Sequence, residues 1–512
     1  MSTAASWTDT ARREARSSLV DVGHLVRFRV GTLPRRTLRG GLVGVLALTA
    51  GSATVPAWVP GAGDPDGRAS DLLLLLGTGL TSFLLLGVLA AATGGGGREL
   101  IARDHAAAYP VGPTTDHLGA LLLAPLTIAW LLQAWLLLGA TAYALGPRPL
   151  LVSAQVVVVL WLLAATAVAQ LVGWTLEALR RGPYGVPLVR GLGLAVVLAV
   201  TGLVVTDRLL PLLDASPTTV VVIGLASTPG VRWALTVAGL LLALLVAVAL
   251  GAVPAHLAAR RLPVDEARAE TGTHRARPAP RSDLAALVRL DRASVWRAVP
   301  TRRGVLVLAG GPGLVAVLGD LPWESVTVLP GLVASGAALL FGVNAWCLDE
   351  RGALWRESLP VDPGTVFTAR ALVLAELLLV GSLATVALAA TRAGVPTPGE
   401  AAAVVATLAV VLVQVVGASM RWSAAHPYPA DLRSARATPA PPLAMVGYSA
   451  RLALATTLTG VLFSLLARLP GWHVPLLVAV PMLCWSAARL VRQHRAWADP
   501  LVRARVVGAV AG

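Results

Sequence analysis

The sequence predicts an all-α polytopic membrane protein of about twelve transmembrane helices, arranged as two parallel six-span repeats. Three observations carry that prediction. The 512 residues are 56% hydrophobic and only 13% charged, with a mean hydropathy of +0.73. Apolar runs of about 20 residues recur along the chain, and each is long enough to cross a hydrocarbon core about 30 Å thick. Landmarks of the first half return, in order, in the second. A soluble domain carries about twice that charged fraction and needs a polar face on each surface helix, which most of these segments lack.

The predicted spans are 41–60, 71–93, 118–145, 150–174, 191–211, 233–254, 304–322, 325–346, 368–391, 400–420, 444–466 and 472–489. Arginine placement orients them, because cytoplasmic loops carry the excess of positive residues. All 42 basic residues are Arg. With the N-terminus inside, the outer segments hold only Arg68, Arg148, Arg208, Arg232, Arg392 and Arg468. The expected protein is therefore multi-pass with both termini cytoplasmic. Arg richness without Lys, and a single Asn, read as high-GC coding, which places it in a bacterial plasma membrane.

The repeat is read from residues that an Ala/Leu/Val-rich chain does not match easily by chance. "YPVGPTT" (109–115) aligns with "LPVDPGT" (359–365), so that Pro110, Val111, Pro113 and Thr115 match Pro360, Val361, Pro363 and Thr365. Gln170, Val172, Gly173, Pro183 and Tyr184 then match Gln414, Val416, Gly417, Pro427 and Tyr428. An even span number in each half gives both halves the same orientation, related by an axis along the membrane normal, with a substrate path between them.

This divides the chain into five segments. Residues 1–40 are a cytoplasmic N-terminal segment with an interfacial helix, rather than a signal peptide. Residues 41–256 and 304–489 are the two six-span halves. Residues 257–303 are an Arg-rich cytoplasmic linker with a second interfacial helix, its apolar face drawn from Leu284, Leu287, Val288, Val295, Trp296 and Val299. Residues 490–512 are a cytoplasmic tail.

The polar interruption "DERGALWRESLPVDPGTV" (349–366) lies between the second and third spans of its half. Asp349 and Glu350 suit the N-terminus of a short helix, and Pro360 ends it, since residues before Pro disfavour the α region. Acid-Arg-Gly, a Trp-bearing turn and Leu-Pro-Val-x-Pro ahead of the third span resemble the inner loop of ABC-type exporter permeases of the type-2 class. The matching residues are Asp349, Glu350, Arg351, Gly352, Leu354, Leu359, Pro360 and Val361. The first half keeps Glu99, Pro110 and Val111 but has "GGGGRE" at the entry. "RWSAAHPYPADLRSARATPAPP" (421–442) also looks like the second inner loop of fused actinobacterial members.

The resemblance implies a permease that couples to a separate ATP-binding subunit through loops 98–117 and 349–366. ATP and Mg would be bound on that partner, present as two copies or as a heterodimer. The substrate would be hydrophobic or amphipathic, and the surroundings membrane lipid.

The composition excludes several chemistries. With no Lys, the chain can hold neither a Walker A loop nor a Schiff-base amine. The net charge of +15 accompanies membrane segments and does not point to nucleic acid. Cys347 and Cys484 suggest buried hydrophobes rather than a disulfide, and no His cluster has metal-ligand spacing. Glu376 in "LVLAELLLV" is the ionisable residue that stands deep in a span. It is a candidate to line the path, bind a cationic group or pair with an Arg. Gln133 and Asn344 are weaker path candidates, because such residues, like Gln155, Gln170 and Gln414, commonly bond helix to helix. The competing reading is an ion-coupled secondary transporter using Glu376.

Overall fold

The computed structural model describes residues 17–27, 35–93, 111–126, 128–261, 278–318, 320–350, 352–429, 440 and 442–511. Glu99, Pro110 and Arg351 lie outside these residues, as does most of the 98–117 loop. Among the described residues the ordered elements are all helices. Eight helices among the described residues are long and apolar enough to span a membrane, and shorter apolar helices run at Leu42–Trp58, Trp130–Leu145, Gly304–Val317 and Arg451–Ala467. The chain is a polytopic helical membrane protein. It divides into two compact units, Met1–Val264 and Asp265–Gly512.

In the first unit, α1 (17–27) is followed by α2 (Arg35–Thr54), α3 (Arg68–Thr93), α4 (Pro113–Leu123), α5 (Ile128–Leu145) and α6 (Leu151–Arg180). Then come α7 (Gly185–Val205), the short α8 (Leu209–Asp214) and α9 (Thr218–Leu225), and α10 (Val231–Ala259). The expected single span 118–145 is two helices, because Pro125 lies in the tight turn Ala124–Leu126 between α4 and α5 and proline cannot supply the interior hydrogen bond. Helix α6 packs on α3 and α10, and α5 on α2 and α3. Glycine permits the closest of these approaches, since a Cβ on Gly173 would stand 2.9 Å from that of Ala91 on α3.

The second unit comprises α11 (Asp283–Arg297), α12 (Val299–Leu318), α13 (Trp323–Val326), α14 (Leu329–Ala338), α15 (Gly352–Glu357), α16 (Pro363–Ala390), α17 (Pro398–Ala425), α18 (Pro442–Ala467), α19 (His473–Trp497) and α20 (Pro500–Ala511). Local sequence sets the helix starts. Thr397 and Glu400 form a reciprocal capping box ahead of α17, with Pro398 in the first turn, a start that leaves fewer N–H groups without acceptors. The Asp362 carboxylate accepts from the Thr365 N–H at 2.8 Å, and Pro363 opens α16. Pro113 opens α4 in the same way. Helix α16 packs on α12 and α14, and α17 on α14, α18 and α19.

Two predicted segments take up definite helices and partners. The linker helix α11 is capped by Ser282 and runs along α16, with Leu287 and Val295 of its expected apolar face buried. Residues expected as a C-terminal tail extend α19 to Trp497 and then form α20, which packs on α15 and buries Val506 and Val510.

Candidate functional site

The polar stretch 349–366 stands where a broken span meets α16. After α14 ends at Ala338 the chain turns through Phe341 and continues as a tighter 3-10 stretch, Gly342–Asp349, with Asn344 at φ −145°, ψ 67°. Backbone opened within a membrane segment needs substitute partners, because no water supplies them. Ser423 of α17 provides two: its hydroxyl donates to the Gly342 carbonyl at 2.9 Å and accepts from the Ala345 N–H at 2.8 Å. Arg370 of α16 donates to the Ala345 carbonyl. Asn344 is fully buried and donates to the Tyr428 carbonyl at 2.7 Å, so this path candidate holds the break together.

Arg370 is the centre of a buried charge cluster. Its side chain is fully enclosed; Nε donates to Asp291 at 2.9 Å and Nη2 to Asp349 at 2.6 Å. Arg356 of α15 donates from Nη1 to the same two carboxylates, at 3.0 and 2.6 Å. Two acids and two Arg cancel, and each carboxylate is shared, which is the condition under which buried charge is tolerated. The Arg370 guanidinium also lies 5.5 Å from the centre of the Trp346 ring, and Trp346 stacks on Trp497 at 3.7 Å. The cluster therefore ties α11, the broken span, α15 and α16 together.

Asp291 and Arg370 are functional candidates that the residue-by-residue reading passed over. The signal for Asp291 was there: Leu287, Asp291 and Val295 follow at four-residue spacing, so the acid stands inside the apolar face. A carboxylate at that position demands a cation. Arg370, near the start of an apolar span, is the complementary signal.

The loop residues singled out in the sequence meet different surroundings. Asp349 turns inward to the cluster, where it pairs with Arg356 and Arg370. Leu359 and Val361 are half-buried against a cavity. Gly352, Leu354 and Pro360 are exposed. Leu354 is 60% exposed and its neighbour Trp355 is 65% exposed, an apolar pair at the tip of a six-residue helix. Glu350 forms the entry turn at φ +45°, a left-handed conformation that costs a non-glycine residue about 1–3 kcal/mol.

Glu376 is not isolated. Arg292 of α11 grips both carboxylate oxygens, with Nε at 2.9 Å, and both side chains are about half exposed. The hydrogen bonds to Glu376 hold the Arg292 guanidinium above its ordinary pKa. In the first unit Val111 is half-buried just ahead of α4, and Gln133 is half-buried on α5. The helix after Val111 is secured by two histidine contacts to α10. His117 is fully buried, with Nε2 3.1 Å from the Val248 carbonyl, and Thr114 meets His256 at 2.9 Å. Gln155 donates to the Ala53 and Leu138 carbonyls, and Gln414 accepts from Thr459. These are contacts between helices. Among the described residues no His, Cys, Asp and Glu group is arranged to hold a metal ion.

The class defined by this architecture is a helical, multi-pass membrane protein. In comparisons with known proteins, no family model, curated protein or solved structure matches the chain.

Proposed function

We propose that the chain is the membrane-spanning permease of an ATP-driven exporter, coupled to a separate ATP-binding subunit through the 349–366 loop. The observation that carries this reading is the mounting of α15. Its tip leaves Leu354 and Trp355 exposed. Its base is clamped through Arg356 to Asp291 and Asp349, and through them to Arg370 on a span. An exposed apolar tip rigidly joined to two spans is suited to carry force from a partner into the membrane. With no Lys in the chain, the Walker A lysine that such an exporter requires would be the partner's.

We read the eight long and four shorter apolar helices as twelve spans in two parallel sets of six. Recurring pairings support this. Taking α4 with α5, and α13 with α14, as single spans, the first span packs on the third, the second on the third and fourth, and the fourth on the sixth within each unit. Both termini and the 349–366 loop are assigned to the cytoplasm of a bacterium, from the Arg distribution. The substrate is assigned only as hydrophobic or amphipathic. The ion-coupled alternative is weakened by the engagement of both Glu376 oxygens with Arg292.

The test is to purify the tagged protein from native membranes in mild detergent and identify what accompanies it. A stoichiometric subunit with a Walker A sequence, lost on Glu350→Arg or Trp355→Asp while the permease stays in the membrane, is the expected result. A chain that emerges alone and moves solute under an ion gradient would overturn the reading.

A further inference from the structure

We propose that the groove between α11 and α16 is a binding site for the headgroup of a zwitterionic phospholipid. The groove has a volume of about 310 Å³, and the Arg292–Glu376 ion pair stands on its wall. Arg292 Nε lies 2.9 Å from the carboxylate, yet the two side chains remain 49% and 44% exposed. Both charges are therefore reachable from the groove. Its floor is fixed, since Val295, Val373 and Leu377 are buried. Trp296, one turn after Arg292, borders the groove and is partly exposed.

The surroundings are those of a lipid contact. Leu372, Leu379, Val380 and Leu383 are exposed, and spacings of three and four residues put them on one face of α16 with Glu376. The face is an apolar stripe interrupted by one charge pair. Helix α11 sets its level. It carries exposed Arg289, Arg292 and Arg297 beside exposed Leu290 and Trp296. That mixture belongs to a helix at a membrane boundary, where Trp also concentrates. Because α11 runs along α16, the pair stands where headgroups give way to acyl chains.

The chemistry selects the occupant. Charge left uncovered on a span is expensive in lipid, so a ligand that covers it is favoured. The pair is neutral as a whole but shows both signs side by side. A ligand of one sign would have to approach its own sign nearly as closely as the opposite one. A zwitterionic headgroup meets both, its ammonium on Glu376 and its phosphate on Arg292, the latter a charge-assisted contact. Its acyl chains then lie along the apolar stripe of α16. The inference does not depend on the exporter reading: it concerns a resident lipid, stands on the second unit alone, and is tested without ATP or transport.

The experiment uses the full-length chain, stripped of lipid in detergent. Phosphatidylethanolamine, phosphatidylcholine and phosphatidylglycerol of matched acyl chains are added separately, and binding is read by native mass spectrometry and by the shift in melting temperature. Both zwitterionic lipids are expected to bind about tenfold or more tighter than phosphatidylglycerol, as for one added bond to a charged group. In Glu376→Gln the preference should shift toward phosphatidylglycerol, since Arg292 then stands alone. A second variant, Val380→Trp, fills the groove from an exposed position and should abolish the preference with the unliganded melt little changed. A photocrosslinking residue in place of Leu383 should capture lipid in native membranes. Phosphatidylglycerol bound by the wild type as tightly as the zwitterions, a preference unchanged in both variants, or capture of protein instead of lipid at position 383 overturns the proposal.

Discussion

Replacing Arg370 by Met tests the charge cluster directly. The side chain is fully buried and holds Asp291, Asp349 and the Ala345 carbonyl. Met fills a similar volume without the charge. Asp291, 1% exposed, would then depend on Arg356 alone, whose Nη1 is 3.0 Å away. Breaking one partner of a buried ion pair costs about 3–5 kcal/mol, because it leaves an uncompensated charge out of water. For a unit the size of Asp265–Gly512, each kcal/mol lowers the melting temperature by about 2–4 °C. The expected fall is therefore about 6–20 °C, read in detergent at one fixed scan rate. Arg370→Lys should recover little, since the three acceptors are reached from three separate guanidinium nitrogens and a single ammonium nitrogen cannot span them. The double variant Arg370→Met with Asp291→Leu removes one charge of each sign and should be less destabilised than the sum of the two single variants. A fall under about 2 °C for Arg370→Met, or strict additivity in the double variant, would refute the structural role given to the cluster.

Three further outcomes follow from individual contacts. Trp355→Asp, at a 65% exposed position, should shift the melting temperature by no more than about 1–2 °C, since surface changes stay within about 0.5 kcal/mol; partner capture in a pull-down should nonetheless be lost. Ser423→Ala removes both bonds to the broken span and should cost about 1–3 kcal/mol, measured by chemical denaturation; a silent variant would mean the break needs no such support. Glu376→Gln opens a half-exposed pair worth about 0–1 kcal/mol. Transport driven by ATP should persist in that variant, while loss of an ion-gradient dependence would restore the secondary-transporter reading.

The extent to which the fold was legible depended on what kind of signal each element emits. Long apolar runs announce themselves by composition, so the positions of the long helices could be read directly. Helices outrun the predicted spans: those over 150–174 and 233–254 run to Arg180 and Ala259, because a helix continues beyond the bilayer wherever its backbone bonds go on being made. The broken span escaped prediction for the opposite reason. "FGVNAWCLDE" is apolar enough to read as helix, and its interruption rests on Ser423 and Arg370, residues distant in sequence that a linear reading does not bring together.

The site shows the same division more sharply. That 349–366 was exceptional followed from its four acids, two Arg and two Pro amid apolar sequence. The use to which each charge is put did not follow. Asp349 and Arg356 belong to the loop, but their partners Asp291 and Arg370 come from the linker helix and the next span. Loop and linker, separate segments when read along the chain, are thus one electrostatic unit. A charge change in α11 should therefore disturb α15 as strongly as a change within the loop itself. In Asp291→Asn, the amide can still hydrogen-bond but no longer balances two guanidinium groups. The expectation is a mobile α15, seen as faster amide hydrogen exchange over 352–357 with the spans still protected. Exchange unchanged in that helix would mean that Asp349 alone suffices to hold it.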